Sequence, residues 1–182
     1  MQEQQKVTKV HIKDGRVVDP KTGFDGVADI YIADGLVAAI GERPDGFAPD
    51  TVIDASGKIV CPGLVDLSTR LGSLGSELAA AVAGGVTAVA CPPDTNPPLD
   101  EPGLVERLVR HSEALGLARV FPIGALTQQL AGEKLSEMNS LVRAGCLAFS
   151  QAKEPILDTQ ILFRAMQYAA TFGYTVHLQP ED

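Results

Sequence analysis

Lys58-Ile59-Val60-Cys61-Pro62-Gly63-Leu64-Val65-Asp66-Leu67 is where the punctuation of this sequence changes, and that change decides the fold. Before it, Asp-Gly pairs at Asp14-Gly15, Asp25-Gly26, Asp34-Gly35 and Asp45-Gly46 separate short apolar or alternating runs at 7–12, 28–32 and 36–40. Asp-Gly accepts positive φ and closes hairpins, so residues 1–57 read as a small antiparallel β module. From Lys58 onward, apolar strands alternate with helices.

Residues 59–67 form the first apolar strand of this second segment. Ser76 is placed to cap a helix over 77–83 that stops at Gly84-Gly85, and 86–91 is the next strand. Asp100 is placed to cap a helix with Leu104, Val105, Leu108, Val109 and Leu115 on one face and Gly116 as its stop. Strand three covers 119–123, a helix 135–143 and strand four 146–150. Asp158 caps a further helix that stops at Gly173, and 174–178 is strand five. Near-continuous apolar strands alternating with helices imply a parallel sheet covered on both faces. The fold class is α/β, and a (β/α)8 barrel is one form that residues 58–182 can belong to. Such barrels need about 250 residues, so the sequence is expected to stop partway round. The exposed strand edge and apolar surface would then need another chain to cover them.

Composition narrows the function classes. An apolar fraction of 45% with 18 glycines fits a soluble globular α/β protein. No apolar run reaches the roughly 18 residues of a membrane span. The polar start, Met1-Gln2-Glu3-Gln4-Gln5-Lys6, has neither a secretory nor a transit pattern, so a cytoplasmic location is expected. A net charge of -8 without a basic cluster argues against a nucleic-acid partner, whose phosphates need neutralising. Cys61, Cys91 and Cys146 lie in or beside apolar segments at no metal-ligand spacing and read as buried free thiols.

The ordered pieces Ile59-Val60-Cys61-Pro62-Gly63-Leu64-Val65-Asp66, Ala83-Gly84-Gly85-Val86-Thr87-Ala88-Val89 and Pro93-Asp94-Thr95-Asn96-Pro97 resemble the dihydroorotases of the amidohydrolase superfamily. So do Phe121-Pro122-Ile123-Gly124-Ala125, Ala144-Gly145-Cys146-Leu147-Ala148-Phe149-Ser150 and Glu181-Asp182. Hydantoinases and allantoinases share some of these pieces. The resemblance implies a metal-dependent barrel flanked by a β-sandwich, in which zinc polarises a carbonyl and activates water at the C-terminal strand ends.

At those strand ends this sequence departs from the family. Ser68 and Arg70 stand where the family has His-x-His, a pair that points to one side of a strand and ligates one metal. A guanidinium cannot ligate zinc. Gly72 replaces the substrate-carboxylate arginine, and Asp94 the substrate-binding asparagine. Gln151 falls at the ligand carboxylate of Ser-Asp-Asp-Gly, and Gln179 at the strand-five histidine.

The resemblance thus implies no catalytic residue, metal site or cofactor. It points to a noncatalytic dihydroorotase homologue, of the kind that joins the aspartate carbamoyltransferase catalytic chain in a hetero-oligomer serving pyrimidine synthesis. The exposed helices and the 72–75 loop would supply the docking surface. The alternative is a zinc-dependent cyclic-amide hydrolase with an atypical site; a truncated nonfunctional product is a third reading. His177 lies about 7 Å from Gln179 at ~3.3 Å per residue, too far to replace it simply. Lys153 reads as a solvated loop lysine rather than a carbamylated bridge, and Glu181 and Asp182 as turn residues. Ser68 with His177 lacks the acid and elbow glycines of a nucleophilic site. His11 and His111 read as surface or edge residues.

Overall fold

The computed structural model describes residues 9–179. The chain divides into two compact units between Pro62 and Gly63 rather than at Lys58. The first holds β1 (Val10–Asp19), β2 (Phe24–Ala33), β3 (Leu36–Ile40), β4 (Thr51–Asp54) and β5 (Ile59–Val60). Among the described residues these form one five-stranded sheet, not the two layers of a sandwich.

The sheet is mixed rather than antiparallel. β1 pairs antiparallel with β2, and β2 with β3, whereas β4 and β5 both run parallel to β1. Only two of the four Asp-Gly pairs make turns, at Asp34-Gly35 between β2 and β3 and at Asp45-Gly46. Asp14-Gly15 lies inside β1, where the register with β2 shifts between Ile12 and Gly15 and Asp14 takes φ 59°. Asp25-Gly26 lies inside β2, and the Asp25 carboxylate accepts two hydrogen bonds from Arg16 at 2.7 Å. His11 is not simply a surface residue: it stacks on Tyr31 at 4.6 Å and its Nε2 lies 2.8 Å from Asp29 Oδ2.

The second unit contains β6 (Leu64–Asp66), α1 (Leu74–Ala83), β7 (Val86–Cys91), α2 (Pro102–Leu115) and β8 (Arg119–Ala125), then α3 (Met138–Ala144), β9 (Ala148–Ser150), α4 (Thr159–Phe172) and β10 (Thr175–His177). The run read as one strand over 59–67 is therefore two, β5 and β6, with Pro62-Gly63 between them. Pro62 has no N–H to donate, which ends ladder pairing there. A Cβ on Gly63 would lie 2.7 Å from the Cβ of Thr87, so only glycine admits this close approach.

All five strands of the second sheet are parallel and in sequence order, β6-β7-β8-β9-β10. This is a curled half-barrel, and the helices cover one face. Val89 and Cys91 of β7 and Val120 of β8 pack with Leu78 of α1. Phe149 of β9 packs with Leu141 of α3 and Ala165 and Ala169 of α4. Strand alternation turns Thr175 and His177 of β10 to the opposite face, where both are exposed. The expected cover on both faces is thus present on one face among the described residues.

Capping was partly legible. Asp158 accepts a hydrogen bond from Gln160 N at 2.8 Å, and Gly173 closes α4 in the left-handed conformation. Asp158→Ala should lower stability by about 1 kcal/mol in chemical denaturation. α1 starts at Leu74, ahead of Ser76, whose hydroxyl donates back to Ser73 O. Asp100 does not cap α2; its Oδ2 accepts from Gln129 N and Nε2 at 2.7 and 3.0 Å. No helix among the described residues is long and apolar enough to cross a membrane.

Candidate functional site

The C-terminal ends of parallel strands are where an α/β barrel places its chemistry, because each strand there hands over to a loop free to vary. In this chain the relevant loops are 67–73, 92–101, 126–137, 151–158 and the segment after His177. Four of the six positions singled out from the sequence lie on the first two of these loops: Ser68, Arg70, Gly72 and Asp94.

Asp66 holds the first loop by accepting from Ser68 N at 2.9 Å, and Thr69 N donates to Ala90 O across to β7. Arg70 reaches over this junction. Its Nε donates to Asp94 Oδ2 at 2.6 Å, joining the strand-one and strand-two loops. The arginine side chain is 51% exposed and the aspartate 26%, so solvent screens the pair on one side only. Two positions singled out from the sequence therefore meet each other.

Gln151 is engaged more deeply. It is 3% exposed, its Oε1 accepts from the Thr127 hydroxyl at 2.9 Å, and its Nε2 donates to Leu130 O at 2.8 Å. Thr127 Oγ1 in turn accepts from Gly132 N. This clasp holds a loop in which Gln129 and Leu130 both adopt positive φ. No sequence signal pointed to Thr127 or Leu130, which lie more than twenty residues from Gln151.

The other positions stay apart. Ser68 follows β6 and His177 ends β10; these strands are opposite edges of the sheet with β7, β8 and β9 between them, so no serine–histidine pair forms. Lys153 is an exposed loop residue, and Gln179 is exposed beyond the end of β10. Pro180, Glu181 and Asp182 lie outside the described residues. Burial pushes the Cys91 thiol up to about 11 and Cys146 to about 12, while Cys61 is exposed, contrary to the expectation of three buried thiols. Among the described residues no group of three or more His, Cys, Asp or Glu side chains is placed to hold a metal ion.

The half-barrel is that of the amidohydrolase-type enzymes. It matches L-hydantoinase from Arthrobacter aurescens with a TM-score of 0.76 at 25% identity, over 95% of this chain and 41% of that one. A D-hydantoinase from Thermus sp. matches with a TM-score of 0.68 at 20% identity, over 95% and 40% of the two chains. Residues 57–182 match the family model described as dihydro-orotase-like, and the chain belongs to that family.

Among curated proteins it is 42% identical over 181 residues to a dihydroorotase-like protein of Pseudomonas putida, covering 95% of this chain and 43% of that protein. It is 38% identical over 179 residues to a dihydroorotase of Trichlorobacter lovleyi, covering 94% and 42%. The chain thus spans less than half the length of these relatives.

Proposed function

We propose that this chain is a noncatalytic dihydroorotase-like subunit that supports the assembly or activity of aspartate carbamoyltransferase in pyrimidine biosynthesis. The observation that carries this reading is the Arg70–Asp94 pair at 2.6 Å. A permanent cation sits at a family ligand position, and its neighbour has changed from amide to carboxylate to neutralise it. The ion pair ties two strand ends that a bound metal would otherwise help to organise.

The rest of the donor set does not suit zinc. A hydroxyl at Ser68, a guanidinium at Arg70 and amides at Gln151 and Gln179 replace imidazoles and a carboxylate. Gln151 spends both amide groups inside the protein. Gly72 leaves no arginine clamp for a substrate carboxylate, and Asp94, an acceptor-only group already paired with Arg70, offers it no donor. The exposed helices and the 72–75 loop supply the surface for the carbamoyltransferase.

A zinc-dependent dihydroorotase with an atypical site is the second reading, favoured by the relatives named dihydroorotase. One experiment separates the two: purification of the tagged chain from its host, with complex mass and metal content measured on the same sample. The expected result is a complex with a carbamoyltransferase catalytic chain and far less than one zinc per copy. Stoichiometric zinc together with hydrolysis of dihydroorotate would sink the noncatalytic reading.

A further inference from the structure

A cavity of about 490 Å³ lies between α2, the start of α1 and the loop that follows β7. We propose that it binds a small organic carboxylate carrying a single negative charge on an apolar body. The proposal stands independently of whether the barrel strand ends are catalytic.

The cationic end comes from α2. Arg107 and His111 are four residues apart, which places them on one helix face, and both line the cavity. Neither takes part in a hydrogen bond or ion pair among the described residues, and the acidic Glu106 of the same helix is committed to Arg110 at 2.7 Å. On a chain of net charge -8, an unengaged arginine beside an unengaged histidine at a cavity wall is a place where an anion gains contacts without displacing a partner. Arg107 supplies a planar donor fork that matches a carboxylate. The Asn96 amide stands on the facing loop, while Leu71, Leu74 and Leu108 form an apolar wall for the ligand body.

Gly72 opens the cavity. A Cβ there would meet one neighbour only, Glu77 Oε1 at 3.4 Å, so the space is free of protein atoms. The same side sets the charge limit. Glu77 and Asp94 both act electrostatically on Cys91, which lines the cavity, and Glu77 Oε2 is buried without a hydrogen-bond partner. Asp94 is neutralised by Arg70, but among the described residues Glu77 is not paired with any basic group. Glu77 Oε1 stands 3.4 Å from a Cβ placed on Gly72, so a second negative charge at that end of the ligand would meet its field and dicarboxylates are disfavoured. A volume of this size is in the range of small-metabolite sites.

The test uses benzoate, its neutral analogue benzamide and the dianion phthalate, titrated into the purified chain and followed by amide chemical shifts. Benzoate should saturate, moving resonances around Gly72, Asn96 and α2, with benzamide and phthalate both weaker. Arg107→Gln should weaken benzoate about tenfold, the value of one charge-assisted hydrogen bond. Arg107 is exposed, so this change leaves the helix intact. Gly72→Met should abolish binding by filling the space while leaving both cations in place. The proposal is overturned if benzoate shows no saturable shifts, if Arg107→Gln binds it as well as the parent chain, or if phthalate binds more tightly than benzoate.

Discussion

Replacing Gln151 by Asp, the residue that the resemblance implies at that position, should lower the stability of the second unit by about 3 kcal/mol, the cost of a buried charge left without its partner. The amide makes two opposite bonds: it accepts from the Thr127 hydroxyl and donates to Leu130 O. An aspartate carboxylate, one methylene shorter, gives up the donor to Leu130 O and leaves a charge at a site only 3% exposed, while the isosteric glutamate would set two oxygens face to face there. The deficit should shrink at acidic pH, where the introduced carboxyl can take up a proton and donate. Gln151→Glu should behave similarly, whereas Gln151→Ala should cost less because it introduces no charge. The chain contains no tryptophan, so urea unfolding can be followed by tyrosine fluorescence, with Tyr168 and Tyr174 reporting on this unit. If Gln151→Asp proved as stable as the parent, the amide clasp would have no energetic weight. The position would then accept a carboxylate, as the resemblance implies for a metal site.

The largest loss is expected from Phe149→Ala, at about 4 kcal/mol. Phe149 is fully buried between the sheet and its helices, with the Tyr174 ring 5.6 Å away. Its neighbours in the core include Leu141 and Ala165. Its partner on the adjacent strand is Gly124, where a Cβ would come within 2.8 Å of the Phe149 ring. Gly124→Ala alone should cost about 2 kcal/mol by overpacking. In the double variant the new methyl moves into part of the space vacated by the ring, so the combined loss should be smaller than the sum. Simple additivity in that cycle would show that the two residues do not compete for the same volume.

These residues also show what was legible in the sequence. The parallel half-barrel was readable because each strand is a short apolar run and each helix has a face with the right period. Asp158 and Gly173 act through neighbours two to four residues away, and they sit where they were expected. Asp14-Gly15 misled because positive φ serves a bulge within a strand as well as a hairpin turn. Asp100 misled because its tertiary partner, Gln129, outcompeted the local cap. The run over 59–67 reads as continuous in hydropathy, yet its halves pair with different strands in different units.

At the site, the sequence marked Ser68, Arg70, Gly72, Asp94, Gln151 and Gln179 as departures from the family, but it could not say what each had become. Arg70 finds Asp94, and Gln151 finds Thr127, each 24 residues away. Such pairs exist only once β6, β7, β8 and β9 lie side by side. The Arg107, His111 and Gly72 cavity was equally invisible, since α2 and the 67–73 loop are distant in the chain.

The pair joining Arg70 to Asp94 changes what this rim of the protein is sensitive to. A coordinated ion can be stripped by chelators and fails when cells run short of zinc. A half-exposed ion pair is untouched by either, but it weakens as ionic strength rises. A chain held together in this way would keep its strand ends in order through zinc starvation, and salt rather than metal supply would be the condition to which that rim responds.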